Sequence, residues 1–273
     1  LGVEGAGIGT LVSRLFMVLF IIIYFLINPH FNQIFKDLNF RDLNLNLIKK
    51  IIQLGFPSAL QMFFEVLFFV GAIWMSGLLG KNEQASNQIA LNLSSMTFMV
   101  AMGFSVVAMI RVGEMFGKRD IINLKRIAYS LFLIILLFDI FFCFIFLLFN
   151  EYLPWIYLSK TDDKSMSDVF QVIEISSKLI LISGVFQIFD GLQSVVLGAL
   201  RGIQDVLIPT VLIFIAYILV GLPVSYYLGF NTHLGVVGIW IGLLVGLLTS
   251  SFFLLLRFSY DLNLMYKKSN LYL

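Results

Sequence analysis

Long apolar runs separated by short polar connections make up most of this chain. Seven of these runs have about 18 residues or more, the length that one helix needs to cross a bilayer. They cover residues 1–27, 55–79, 87–110, 124–149, 169–200, 206–230 and 234–257. None of them alternates polar and apolar positions as barrel strands do. The pattern therefore predicts an all-α polytopic membrane protein with seven transmembrane helices.

The composition excludes a soluble domain. Hydrophobic residues make up 60% and charged residues 12% of the 273 residues, whereas soluble domains have roughly 25% charged residues. The net charge of +2 is too small to indicate a nucleic acid partner. A single cysteine, Cys143, excludes an internal disulfide framework.

Lysine and arginine concentrate in every second connection. The segments 28–54, 111–126 and 258–273 are basic, as is Arg201 before the sixth run, while the segment 150–168 has more acidic than basic residues. Basic connections stay on the cytoplasmic side of a membrane. We therefore expect the first set of segments, and with them the C-terminus, to be cytoplasmic.

The first twelve residues resemble residues 234–245, and eight of the twelve positions are identical. Three shared glycines in register favour a constraint on helix packing, although apolar sequences also match by chance. We interpret the two segments as equivalent last helices of two six-helix lobes. The predicted domains are then the last helix of an N-terminal lobe truncated upstream (1–27), a cytoplasmic inter-lobe linker (28–54), a C-terminal six-helix lobe (55–257) and a cytoplasmic tail (258–273).

Two carboxyl groups at membrane depth are candidate cation sites. A charge at the bilayer centre costs about 2.5–3.5 kcal/mol even on the scale from membrane-insertion experiments, which gives the lowest values. The presence of each carboxyl group therefore needs a physical explanation. Glu65 and Asp190 both have glutamines at helical spacing, which favours a cavity that contains water. The alternative is that they are neutral or paired groups that hold helices together. The glutamines, which we predict to line the cavity, are Gln61 before Glu65, and Gln187 and Gln193 on either side of Asp190.

Two other charged residues interrupt apolar runs. Asp139 has no polar residue three or four positions away, and for it we favour a structural role between helices. Arg14 lies in the middle of the first run, where it could neutralise a carboxylate or bind an anionic group.

Polar residues and prolines mark two further helices. Gln88, Asn92 and Ser95 lie on one face of the third helix, since they are separated by four and three positions. This stripe is equally typical of helix packing and of a cavity wall. Pro209 and Pro223 could bend the sixth helix, which makes it a candidate for gating.

The sequence has no pattern typical of an enzyme. The stretch from Gly113 to Lys118 lacks the spacing of a phosphate-binding loop, and the two histidines, His30 and His233, lie in different loops. We therefore expect no catalysis and no cofactor. Transport of a compound against its concentration gradient would then need the energy of an ion gradient. One charge that crosses a membrane potential of 100 mV gains about 2.3 kcal/mol.

Several motifs occur along the chain in the same order as in a known protein family. It resembles the multidrug and toxic compound extrusion (MATE) family of cation-coupled efflux transporters, and within it the NorM-type branch. The motifs that carry the resemblance are Gly55-Phe56-Pro57 leading to Phe64-Glu65; Ala85, Gln88, Ile89 and Asn92; Arg111-Val112-Gly113 with Gly117 and Asp120; Gly198-Ala199-Leu200-Arg201-Gly202 with Asp205 and Pro209; and Gly221-Leu222-Pro223 with Leu234-Gly235 to Gly238-Ile239-Trp240.

The resemblance implies a twelve-helix exporter of two lobes in a bacterial plasma (inner) membrane. It also implies that Glu65 and Asp190 bind the coupling ion, Na⁺ or H⁺, while amphiphilic, often cationic drugs leave the cell. Family members can have a tyrosine where this chain has Phe186, so a hydroxyl ligand is missing, and Phe186 is a further candidate for the lining of the cavity. The implied partners are the small organic substrates, membrane lipids and the N-terminal lobe, and no nucleic acid. The alternatives are a lipid-linked oligosaccharide flippase of the same superfamily and a scaffold subunit that transports nothing.

Overall fold

A computed structural model of the protein describes residues 2–28, 44–158 and 166–270, and within these ranges the chain is helical, without a strand. Seven helices are long and apolar enough to cross a membrane, which confirms the predicted fold class. We number them α1 (Gly2–Ile27), α2 (Leu45–Leu79), α3 (Lys81–Gly117), α4 (Ile121–Phe149), α5 (Met166–Gly202), α6 (Leu207–Phe230) and α7 (Val236–Asn270). A short 3₁₀ helix, Leu153–Ile156, follows α4.

The helices extend beyond the apolar runs that predicted them. α2 begins at Leu45 rather than at residue 55, and α7 continues to Asn270 rather than ending at residue 257. A helix keeps its backbone hydrogen bonds after it leaves the hydrocarbon region, whereas a count of apolar residues stops at the first charged ones. The predicted linker is thus helical from residue 45, while residues 29–43, with His30, lie outside the described part of the chain. The roles of linker and tail remain predictions.

The chain divides into two units, residues 1–50 and 51–273. In the first unit, α1 is a single helix of 26 residues whose described side chains are all exposed or partly exposed. Arg14 is among the exposed ones, and both roles suggested for it remain predictions.

α5 is the central helix of the second unit and packs along α3, α4 and α7. Small residues allow α3 and α5 to approach closely, since a Cβ at Gly198 would overlap the backbone oxygen of Ser105. The Ser105 hydroxyl donates to the Ser194 carbonyl oxygen at 2.6 Å, and the hydroxyls of Ser94 and Ser183 are also 2.6 Å apart. The two helices therefore run parallel and in register.

α6 changes its helical geometry near its middle. The segments Leu207–Phe214 and Leu222–Phe230 are α-helical, and Ile215–Gly221 between them forms a π-helix. Pro223 follows this segment and lacks the N–H that would bond to the carbonyl one turn earlier. The interruption therefore lies beside one of the two prolines that suggested a bend.

The ring of Phe68 on α2 occupies a narrow slot beside this π-helical segment. It stacks on Tyr217 with ring centroids 4.5 Å apart and an interplanar angle of 8°. A Cβ at either Gly221 of α6 or Gly246 of α7 would come within 2.6 Å of the ring. Only glycine at these two positions leaves room for the ring, which fixes α2 against α6 and α7.

The turns after α3 and α5 have the same backbone geometry. Arg119 and Gln204 both adopt left-handed conformations, with φ of 59° and 64°, and their N–H groups bond to carbonyls three residues earlier. In the first turn Asp120 caps α4, because its carboxylate accepts from the backbone N–H of Asn123 at 3.1 Å. These hydrogen bonds lower the pKa of Asp120 below its usual 3.8.

Candidate cation and substrate site

Two cavities in the second unit share a wall. The first has a volume of about 470 Å³ and the second about 400 Å³. Met62, Glu65 and Met102 line both of them. Glu65, which is partly buried, thus connects two chambers formed by the same helices.

The second cavity contains both candidate carboxyl groups. Glu65 enters it from α2 and Asp190 from α5, and the two are close enough for their charges to interact. Gln88, Asn92 and Ser95 of α3 line the same cavity, so the polar stripe of the third helix lies beside the two acids. Phe69, Phe98 and Phe186 supply an aromatic part of the wall.

The first cavity combines an acid with a base. Besides Glu65 it is lined by Gln193 and by Arg201 near the end of α5. The guanidinium of Arg201 and the carboxylate of Glu65 attract each other. Glu65 therefore lies between a cationic group in one cavity and a second carboxyl group in the other.

Gln61 lies away from both cavity walls, although we predicted it as a lining residue. It is completely buried, and its Oε1 accepts from Nε and Nη2 of Arg201 at 3.0 and 2.9 Å. Its Nε2 donates to the carbonyl of Val206 at 2.9 Å and to the hydroxyl of Thr210 at 3.0 Å. We call Gln61, Arg201, Val206 and Thr210 the Gln61 cluster; it joins α2, α5 and the start of α6.

Gln187 also differs from the prediction that it lines a cavity. Only 3% of it is exposed, and its side chain points towards α4, where Nε2 lies 3.5 Å from the backbone oxygen of Asp139. Asp139 itself is 1% exposed, and its charge interacts with that of Asp190. We call Asp139, Gln187 and Asp190 the acid cluster.

Sequence reasoning missed Tyr217 as a member of this region. It is fully buried in the π-helical segment of α6, and its hydroxyl donates to Oε1 of Gln193 at 2.7 Å. Its phenol interacts electrostatically with both Glu65 and Asp190. A tyrosine hydroxyl is thus present near the two acids although position 186 has none. Tyr217 is far from both acids along the chain, so the sequence gives no sign that it lies near them.

A family model described as MatE matches residues 57–227, which include both candidate carboxyl groups and all seven predicted lining residues. The chain belongs to the MATE family. This match confirms the resemblance that the motifs indicated.

Curated relatives that this MATE chain resembles include NorM multidrug resistance proteins. It is 30% identical over 258 residues to the probable multidrug resistance protein NorM of Agrobacterium fabrum, covering 94% of this chain and 55% of that protein. It is 32% identical over 261 residues to the multidrug resistance protein NorM of Aliivibrio fischeri, again covering 94% and 55%. The chain therefore spans about half the length of the curated relatives it matches.

Solved structures share the fold of this MATE chain. A crystal structure of a mutant MATE protein has a TM-score of 0.81 at 17% identity and covers 97% of this chain and 57% of that one. The eukaryotic MATE transporter AtDTX14 has a TM-score of 0.70 at 21% identity, covering 82% and 50%. At these identities the likeness establishes the arrangement of helices alone.

Proposed function

We propose that this MATE chain forms part of an antiporter in which H⁺ or Na⁺ enters as amphiphilic, often cationic, organic compounds leave. The protein is an integral membrane protein, and we place it in a bacterial plasma membrane with its C-terminus in the cytoplasm. A second lobe would complete the transporter. The observation that carries the proposal is the single cavity that Glu65 and Asp190 both line.

The wall of the second cavity suits an amphiphilic cation. Its aromatic rings, Phe69, Phe98 and Phe186, can contact apolar groups and attract a cation through their faces. Met62 and Met102 are flexible and polarizable, so they adapt to ligands of different shape. The two carboxyl groups then supply the charge that selects for positive compounds.

Coupling follows from competition for the same two acids. A cationic substrate and the coupling ion both need negative charge at Glu65 and Asp190, so binding of one weakens binding of the other. An ion that enters from outside displaces the substrate to the outside, and the empty site then returns. Arg201 stabilises the ion-free state, because its charge attracts the carboxylate of Glu65.

The test is ion-driven efflux of a fluorescent cationic dye by the full-length protein in proteoliposomes, with imposed Na⁺ and H⁺ gradients in separate arms. We expect Glu65→Gln and Asp190→Asn each to reduce gradient-driven efflux at least tenfold, because each removes one negative charge from the cavity. The arm that drives efflux identifies the coupling ion.

Glu174→Gln is the matched control for this experiment. Glu174 lies on α5 like Asp190, but it is exposed and pairs with Lys178 at 2.7 Å. We expect its efflux to equal that of the wild type. Full efflux by both Glu65→Gln and Asp190→Asn would refute the assignment of these residues.

The two alternative functions predict different surroundings for the acids. A flippase for an anionic lipid-linked oligosaccharide favours a basic chamber, whereas none of the residues described along the second cavity is basic. A scaffold that transports nothing has no need of two carboxyl groups in one chamber. The acidic lining therefore favours the antiporter.

A further inference from the structure

A third cavity of the second unit lies between the first turns of α4 and the end of α7. We call it the α4–α7 pocket, and its volume is about 530 Å³. Of the described residues that line the two cavities beside Glu65, none belongs to α4 or α7. The pocket is therefore separate from the proposed coupling site. The lining residues that matter below are Lys125, Arg126, Tyr129, Ser130 and Leu133 of α4 and Tyr266 of α7.

Aromatic contacts join the two helices that form this pocket. The ring centroid of Phe258 on α7 lies 6.4 Å from that of Tyr129 and 5.4 Å from that of Phe132, both on α4. Phe258 is completely buried between them and their neighbours. Tyr266 follows two helical turns later, about 12 Å further along α7. The pocket thus lies at a packed junction of two helices.

The basic side chains of the pocket are available to an anion. Lys125 and Arg126 are both exposed and form none of the ion pairs between described residues. No acidic residue is among the described ones that line the pocket. Asp261, the acid of α7 that is nearest to Tyr266 along the helix, pairs with Arg257 at 3.0 Å. The pocket therefore has two positive charges that no described carboxylate neutralises.

The pocket also lies where α4 enters the apolar part of the membrane. From Ile127 to its end at Phe149, α4 has Asp139 as its single charged residue. Leu133, about two turns beyond Arg126, lines the pocket and is 58% exposed. Tyrosines such as those of the pocket are typical of the boundary between membrane and water. A molecule in the pocket would therefore contact positive charge on its water side and an apolar surface on its membrane side.

We propose that the α4–α7 pocket binds an anionic phospholipid of the cytoplasmic leaflet. Lys125 and Arg126 would hold the phosphate, and the Ser130 hydroxyl would donate to a second headgroup oxygen, while Leu133 contacts the start of an acyl chain. Basic pockets between helices on the cytoplasmic side bind anionic headgroups, and the planar fork of arginine suits phosphate oxygens. The proposal rests on the proposed orientation of the lobe and is independent of its coupling to an ion.

The size and the lining of the pocket favour a lipid over a free phosphate ion. A single phosphate would leave most of the 530 Å³ to water. It would also leave Leu133 without an apolar partner. A phospholipid uses both ends of the pocket, because its headgroup reaches the basic residues and its chains stay in the membrane.

Native mass spectrometry of the full-length protein, released from detergent micelles with added lipid, measures this binding directly. The probes are dioleoylphosphatidylglycerol and dioleoylphosphatidylcholine, which have the same chains and differ in net charge. We expect the wild type to bind phosphatidylglycerol at least tenfold more tightly than phosphatidylcholine. Lys125→Gln/Arg126→Gln should weaken the binding of phosphatidylglycerol at least tenfold, because each basic residue at a membrane surface contributes about fivefold.

Ser130→Phe and a double control variant separate a pocket from general attraction by charge. Ser130 is exposed and lines the pocket, so phenylalanine should obstruct the pocket and weaken phosphatidylglycerol binding without changing the charge. Lys49→Gln/Lys50→Gln is the matched control, since it also removes two adjacent, exposed basic residues, on α2, which line none of the three cavities. We expect this control to bind phosphatidylglycerol as the wild type does.

Three results would overturn the proposal: equal binding of the two lipids by the wild type, unchanged binding by Lys125→Gln/Arg126→Gln, or an equal loss in the Lys49→Gln/Lys50→Gln control. Displacement of phosphatidylglycerol by an equal concentration of inorganic phosphate would also overturn it, because the site would then be one for a free anion. Dye efflux distinguishes the two proposals. Lipid binding that depends on Lys125 and Arg126 in a protein without ion-driven efflux would refute the antiport function and leave the lipid site intact.

Discussion

The two buried polar clusters of the second unit have similar residues but opposite hydrogen-bond states. In the Gln61 cluster, both ends of the amide are bonded, twice to Arg201 and once each to Val206 and Thr210. In the acid cluster, Gln187 makes one long contact at 3.5 Å, and three acceptors have no partner among the described residues. The amide of Gln61 is therefore fully hydrogen-bonded, whereas the polar atoms of the acid cluster are only partly bonded.

This difference distinguishes residues that hold helices together from residues beside the ion site that we propose. A satisfied buried network is rigid and contributes to stability, whereas an unsatisfied one costs free energy that a bound ligand can recover. Replacing the glutamine by leucine should therefore destabilise the protein far more in the Gln61 cluster than in the acid cluster.

Gln61→Leu should have the largest effect on stability. The leucine removes two hydrogen bonds to the partly buried guanidinium of Arg201 and the amide donor to Val206 and Thr210, and the loss of these bonds, two of them to a charged group, should cost about 3 kcal/mol in total. Heat or denaturant unfolding of the purified protein in detergent micelles would measure the loss. Gln84→Leu is a suitable control, because Gln84 is exposed on α3. Equal stability of Gln61→Leu and wild type would show that the cluster is not structural.

Gly191→Ala should have an intermediate effect. The new methyl group would overlap Oδ2 of Asp139, so either the carboxyl group turns away or α4 and α5 separate, at a cost of about 1–3 kcal/mol. The same unfolding experiment measures it. Gly103→Ala on α3 is the matched control, since a Cβ there meets nothing within 4 Å, and alanine should stabilise that helix by up to about 1 kcal/mol. A neutral result for Gly191→Ala would contradict the close contact with Asp139.

Gln187→Leu should have the smallest effect on stability, within about 1 kcal/mol of the wild type. Its amide makes one weak hydrogen bond, so an apolar residue of similar size loses little and removes an unsatisfied oxygen. Unfolding in micelles compares it directly with Gln61→Leu. A loss as large as that of Gln61→Leu would remove the distinction between the two clusters.

The sequence was sufficient to predict the helices and the family, because both depend on local features. Seven apolar runs indicated seven helices, and ordered motifs such as Gly198-Ala199-Leu200-Arg201-Gly202 indicated MATE proteins. The periodic spacing of Gln88, Asn92 and Ser95 also placed these three side chains on one face, and they line one cavity. The ends of the helices were less accessible, since charged residues continue a helix without adding to an apolar run.

The partners of single polar residues could not be read from the sequence. Gln61 and Gln187 each lie near an acid along the chain, but both point away from the cavity towards other helices. Asp139 and Tyr217 reach Asp190 and Gln193 only through packing between helices that are distant in sequence. A glutamine near an aspartate on one helix gives no information about the third helix that either of them faces.

The slot that holds Phe68 limits how the lobe can change shape. Its ring stacks on Tyr217 and is confined by Gly221 and Gly246. α2 therefore cannot move along its axis past α6 unless the ring first leaves this slot. Any such shift would also displace Glu65, which lies three residues before Phe68.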